Sequence, residues 1–128
     1  MQLLLDTHAF LWWLAGEREL SVAARNAIGD ESNTVFVSAA SAWEITTKHR
    51  RGKLPAAGAV AADVAGTILD QSFVALPVSV RHGQAAGALP GPHRDPFDRM
   101  LIAQAMLESL TLITNEQLFD SYGVVRLW

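Results

Sequence analysis

Five short apolar runs alternate with helical stretches along this sequence, and no other feature restricts the fold as strongly. The runs are QLLL (2–5), TVFVS (34–38), FVAL (73–76), TLIT (111–114) and VVRLW (124–128). They are mostly aliphatic, β-branched or aromatic, and they lack the polar–apolar alternation of a strand with one face in water. Strands apolar on both faces need helices on both sides. That arrangement favours parallel strands joined by helical crossovers.

The intervening segments supply those helices. Residues 9–16 form a helical pattern stopped by Gly16, and Ser21 caps a second over 22–29 that Gly29 ends. A third covers 41–52, with basic residues in its last turns and Gly52 at its end. A fourth spans about 57–71, and a fifth, 80–88, follows Ser79. Pro96 sits at the first position of a sixth helix running to about Ser109. LPGPHR (89–94) reads as a loop and QLFDSYG as a short turn. The expected fold is a three-layer α/β/α arrangement around a central parallel sheet of about five strands, with residues 1–128 forming a single domain.

Composition narrows the chemistry. There is no cysteine, which removes disulfides, thiolate metal sites and cysteine nucleophiles and suits a reducing cytosol. MQLLLD lacks the basic n-region of a signal peptide, and no apolar run approaches the roughly 20 residues that span a bilayer. AAGAVAADVAGTIL (56–69) is too short and carries Asp63, so it reads as an amphipathic helix. A cytoplasmic protein is expected. Net charge is −3, whereas a generic nucleic-acid binder is usually basic. The distribution points the other way: Lys48, His49, Arg50, Arg51 and Lys53 cluster, and no acid lies between Glu44 and Asp63. This run is either a solvated helix end that complements the helix dipole or a surface for a polyanion.

Sheets of this kind place their sites outside the C-terminal strand ends. Asp6 follows the first strand, Glu44 lies on the helix after the second, Asp95 and Asp98 open the helix before the fourth, and Glu116 follows the fourth. Each has an ordinary structural explanation. Asp6 suits a strand-end cap, Ser41 and Glu44 have capping-box spacing, Asp95 before Pro96 is a good N-cap, and Asp98 suits the helix dipole. Glu116 reads equally well as a surface residue. Together, though, at least four carboxylates would converge on one cleft. They would repel and raise one another's pKa values, and a divalent cation relieves that. Oxygen-only ligands suit Mg²⁺ or Mn²⁺, and the chemistry supported is metal-assisted phosphodiester hydrolysis. Phosphate-binding glycine loops, nucleophile elbows and H-E-x-x-H spacing are all absent from the sequence. His8, close behind Asp6, reads as a packed or capping histidine ahead of one that faces the same cleft, and Trp12, Trp13 and Trp43 as core or interface aromatics.

LLLDTHAFLWWL, SAASAWEITTKHRRGKL, LPGPHRDPFDRMLIAQA and LITNEQLFDSYGVVRLW stand in this order over nearly the whole chain. Together they resemble the PIN-domain family, and within it the VapC-like toxins of type II toxin–antitoxin systems. The resemblance implies a Mg²⁺- or Mn²⁺-dependent endoribonuclease, a homodimer, and inhibition by a small cognate VapB-like antitoxin. It matches the family's metal-binding acids to Asp6, Glu44, Asp98 and Glu116. The last departs from the usual aspartate, and its longer side chain would bind through water. Asp95 matches no main ligand, which supports its reading as a cap. Flanking RNA phosphates would need cations, for which Lys48, Arg50, Arg51, Lys53, Arg94 and Arg99 are the candidates. The competing readings are a non-catalytic binding module of the same fold, and a nuclease or phosphatase acting on DNA or phosphomonoesters.

Overall fold

Leu3, Leu4 and Leu5 of the first strand are each 0 % exposed, so both faces of that strand are covered. The computed structural model describes residues 1–91 and 93–128. In chain order the elements are β1 (Gln2–Leu5), α1 (Thr7–Ala15), α2 (Val22–Gly29), β2 (Thr34–Ser38), α3 (Ala39–Arg50), α4 (Gly58–Ala62), α5 (Val64–Asp70), β3 (Val74–Leu76), α6 (Val80–Ala88), α7 (Pro96–Leu107), β4 (Thr111–Ile113) and β5 (Arg126–Leu127). Short 3₁₀ turns cover Pro55–Ala57 and Gln117–Tyr122.

The five strands form one parallel sheet in the order β3-β2-β1-β4-β5. Leu4 stands opposite Phe36 and Leu112, and Leu5 opposite Val37 and Ile113. Side chains alternate across a strand, so β1 feeds two cores. Leu3 and Leu5, with Val35, Val37 and Ile113, pack against Phe10, Ala24, Ile28 and Ile68 from α1, α2 and α5. Leu4 and Leu112 pack against Leu101, Ile102 and Ala105 of α7 and against Phe119. This is the three-layer arrangement expected.

The chain runs outward from β1 through β2 to β3, then returns past β1 to lay down β4 and β5. That reversal leaves a crevice at the C-terminal ends of β1 and β4, where ligands bind in such sheets. The two strand ends are tied there, because the Asp6 N–H donates to the Ile113 carbonyl at 3.0 Å.

Several expected boundaries move, each for a local reason. The helix expected over 57–71 is instead a 3₁₀ turn followed by α4 and α5. Asp63, at φ −156°, interrupts it and caps α5 by accepting from the Gly66 N–H at 2.9 Å. Helix α3 begins at Ala39 rather than Ser41, since the Ser38 hydroxyl caps it through the Ala40 N–H. Ser41 and Glu44 therefore form no capping box; both are buried inside the helix. Helix α1 begins at Thr7, two residues early, because Asp6 caps it. Gly29 is the last residue of α2, with Asp30 beyond it as the cap. The turn expected at QLFDSYG is a 3₁₀ helix, and the last strand is only Arg126–Leu127. Within the expected loop 89–94, Pro92 lies outside the described residues. Gly91 has φ +105°, and a Cβ there would meet the Tyr122 phenol oxygen at 2.8 Å, so only glycine fits.

Leu4→Ala should cost about 3 kcal/mol in urea unfolding, because a fully buried side chain is removed from the central strand. Leu69→Ala, at a position 76 % exposed, should stay within about 0.5 kcal/mol. Equal destabilisation at the two positions would contradict a core on both faces of β1.

Candidate active site

A cavity of about 130 Å³ opens at the crevice, with Asp6, Glu44, Asp95, Asp98 and Glu116 on its wall beside Lys48. Asp6 arrives directly from β1, and its Oδ1 caps α1 by accepting from the Ala9 N–H at 2.7 Å. Glu44 projects inward from α3 and is 3 % exposed. Its Oε1 accepts a 2.6 Å hydrogen bond from the Thr7 hydroxyl, which also lies 3.0 Å from Ser41 Oγ. Its Oε2 is 2.5 Å from the Lys48 ammonium one turn along α3. Asp95 caps α7, accepting from the N–H groups of Phe97 at 2.9 Å and Asp98 at 3.2 Å. Asp98 stands in the first turn of that helix. Glu116 is exposed and caps its own 3₁₀ turn, accepting from the Leu118 N–H at 3.3 Å.

The electrostatics follow from this crowding. Burial, followed by the charges of Asp95, Glu44 and Asp6, pushes Asp98 up to about 7; Lys48 pulls the other way. Burial also raises Asp6, against the opposing pull of the Thr114 hydroxyl and the Ala9 N–H. Burial alone would lower Lys48, but its hydrogen bond to Glu44 and the charges of Glu44, Asp95 and Asp98 raise it.

His93 lies beside Asp98, behind the cavity lining. Its Nδ1 accepts from the Asp95 N–H at 3.4 Å, which leaves the proton of a neutral ring on Nε2. Nε2 lies 3.1 Å from Asp98 Oδ2, yet off the line of a good hydrogen bond, so this buried nitrogen has no aligned partner. The backbone N–H of His93 donates to the Tyr122 phenol at 2.9 Å. Neither Thr7 nor His93 was among the expected site residues. Each lies within five residues of an expected acid, in DTH and HRDPFD, and that proximity was the available signal. His8 takes the cleft-facing alternative rather than the packed or capping one: it is exposed on the cleft wall with its ring 5.6 Å from that of Trp12.

The expected phosphate-binding cations divide into two groups. Arg50, Arg51, Lys53 and Arg94 are exposed. Lys48 is paired with Glu44. Arg99 is engaged by backbone carbonyls at the end of α6 and in the following loop: Nε donates to Ala86 at 3.1 Å, Nη1 to His93 at 3.1 Å, and Nη2 to Leu89. The fork of Arg99 thus holds the loop that carries His93.

The donor set fits a hard divalent cation: carboxylates with oxygen neighbours, one of them pushed to about 7 by burial and by the charges of the others. As the side chains stand, no group of three or more histidines or acids among the described residues is close enough to enclose an ion. Helix caps, Lys48 and Thr7 occupy carboxylate oxygens that an ion would use.

The PIN domain family model matches residues 3–125. No curated protein matches significantly. Among solved structures, VapBC2 of Rickettsia felis bound to a promoter DNA fragment is 17 % identical with a TM-score of 0.73, covering 99 % of this chain and 98 % of that one. VapC20 of Mycobacterium tuberculosis, a Sarcin-Ricin loop cleaving toxin, is 18 % identical with a TM-score of 0.69, covering 96 % of each chain. FitAcB of Neisseria gonorrhoeae is 19 % identical with a TM-score of 0.67, covering 98 % and 96 %. At these identities the likeness is one of fold.

Asp98 is raised by folding, so between about pH 4 and pH 7 the native state binds more protons than the unfolded chain. The ion-free protein should therefore become less stable as pH rises through that window. Asp98→Asn should reduce this decline, leaving the part due to Asp6, and stabilise the ion-free protein by about 1–3 kcal/mol at pH 7.5, with a smaller gain at pH 4.5. Urea unfolding at the two pH values checks it; a gain independent of pH would argue against a strained carboxylate.

Proposed function

The chain belongs to the PIN domain family, and on that premise we propose that it is a Mg²⁺- or Mn²⁺-dependent endoribonuclease, the toxin of a type II toxin–antitoxin pair. The observation that carries this reading is the meeting of Asp6, Glu44 and Asp98 on one small cavity, with Asp98 pushed to about 7. Those three would hold the ion, and Glu116 would reach it through water. When bound, the ion supplies charge neutralisation at a phosphodiester and a more acidic water.

The chain's own groups do the remaining work. Thr7 fixes Glu44 through its hydroxyl, and the Ala9 N–H fixes Asp6. His93 Nε2 stands 3.1 Å from Asp98 Oδ2 without an aligned hydrogen bond. Asn115, just beyond β4, lines the cavity and would contact the substrate backbone, whereas Thr114 is fully buried and its hydroxyl accepts from the Glu116 N–H at 3.0 Å. Arg50, Arg51, Lys53 and Arg94 are the exposed cations for flanking RNA phosphates, since Lys48 and Arg99 have other partners.

The same reading carries an antitoxin partner, a homodimer and a cytoplasmic setting. Beside His8 an apolar groove of about 480 Å³ is lined by Leu11, Leu14, Leu54 and Val60, with two acids, Glu17 and Glu19, against one cation, Lys53. It suits a basic amphipathic segment of an antitoxin. The Trp43 ring, 63 % exposed and 4.9 Å from that of Phe97, is apolar surface of the kind a second copy covers. No helix among the described residues is long and apolar enough to cross a membrane. A non-catalytic module of the same fold is the second reading, and it draws on Glu116, whose carboxylate serves as a cap.

Asp98→Asn should reduce RNA cleavage on the order of 100-fold or more. Asp95→Asn should cost less than about tenfold, because asparagine caps equally well. Equal reduction in both, measured at one Mn²⁺ concentration, would overturn this division of roles. No cleavage of RNA, with turnover of DNA or a phosphomonoester, would move the substrate class; no turnover of any would favour the binding module.

Arg50→Ala with Arg51→Ala should weaken RNA binding and flatten its salt dependence, the log–log slope falling by about 0.7 for each phosphate that is no longer neutralised. Binding isotherms at several salt concentrations test this, and superimposable curves would remove the run from the RNA surface.

A further inference from the structure

Lys48 is, among the described residues, the one lysine or arginine on the wall of a cavity that carries five carboxylates. Its ammonium lies 2.5 Å from Glu44 Oε2, and its side chain is 30 % exposed beside a glutamate side chain at 4 %. The i,i+4 spacing on α3 places it there without any long-range contact. Glu44 does not need this lysine for its position, because its other oxygen is held by the Thr7 hydroxyl at 2.6 Å. What the lysine provides is charge. We infer that Lys48 is a tethered counter-cation that occupies Glu44 in the ion-free protein and must release it before a divalent ion can bind. The inference rests on the reading of this cavity as a divalent-cation site.

Two opposite consequences separate this role from that of a support for Glu44. A counter-cation stabilises the ion-free acids and competes with the incoming ion for the same carboxylate oxygen. A support would do the reverse, and its removal would let Glu44 swing away and weaken ion binding. Competition also agrees with the absence, among the described residues, of any ready-made group of three ligands. The oxygen that Glu44 would contribute is engaged.

Isothermal titration of the ion-free full chain with MnCl₂ tests the inference on wild type, Lys48→Met and Lys48→Arg. Lys48→Met should bind Mn²⁺ on the order of tenfold more tightly, and its ion-free form should melt several degrees lower. Lys48→Arg keeps the charge and should stay within about threefold of wild type. Lys48→Gln, a polar replacement of similar length, should match Lys48→Met, and circular dichroism confirms that each variant is folded. Unchanged or weaker binding in Lys48→Met and Lys48→Gln, beside a wild type that binds, overturns this inference alone. A wild type that takes up no Mn²⁺ overturns the cation-site reading with it.

Discussion

The central strand has no face for water. With Leu3, Leu4 and Leu5 wholly enclosed, β1 must lie between two helical layers, and only crossover connections supply helices on both sides of a parallel sheet. The position of the site follows from this. Because β1 is laid down first and both halves of the sheet grow outward from it, the chain has to turn back past it once. The reversal leaves the ends of β1 and β4 side by side without a connection across them. Asp6 and Thr114, the first residues beyond those two strands, are placed there by topology.

Folding and the chemistry of this site oppose each other. Carboxylates that would be harmless on a surface are drawn around one small cavity, where burial penalises their charge and each disfavours its neighbour's ionisation. The two cores must outweigh that penalty. Local groups reduce it: Thr7 and the Lys48 ammonium for Glu44, the Ala9 N–H for Asp6, and two N–H groups for Asp95. Asp98 is the exception. Its neighbour, the His93 ring, is poorly aligned, and burial with the charges of Asp95, Glu44 and Asp6 pushes Asp98 up to about 7. The strain of the cluster falls on Asp98, in the first turn of α7, and on Asp6, which burial also raises.

How much of this was legible in the sequence depended on the range of the interaction. The central strands were readable because burial on both faces leaves an apolar run that no helix period explains, as in QLLL and TVFVS, whereas the edge strand β3 is apolar yet largely exposed. The convergence of Asp6, Glu44 and Asp98 followed from the strand-end rule, and the cap role of Asp95 from Pro96 beside it. The break at Asp63 was hidden, because its alanine-rich surroundings favour a continuous helix and a single backbone angle decides otherwise. The S-x-x-E spacing misled because Ser38, three residues earlier, took the cap. Thr7 and Glu44 are 37 residues apart in sequence, and no local pattern signals a hydrogen bond between them. Arg99 looked like a free cation because the carbonyls that occupy it belong to the end of another helix and the loop after it.

Asp6, Asp95 and Glu116 share a habit with a wider consequence. Each accepts a hydrogen bond from the first turn of the element it precedes. Their carboxylates are referenced to main-chain amides rather than to the aliphatic side chains beneath. An exchange of one buried aliphatic residue for another, as long as the helix still starts at the same place, leaves those acids where they were. A scaffold anchored in this way tolerates extensive drift in its interior while its charged edge stays in register. Overlap of whole chains at under one-fifth identity is what such tolerance permits.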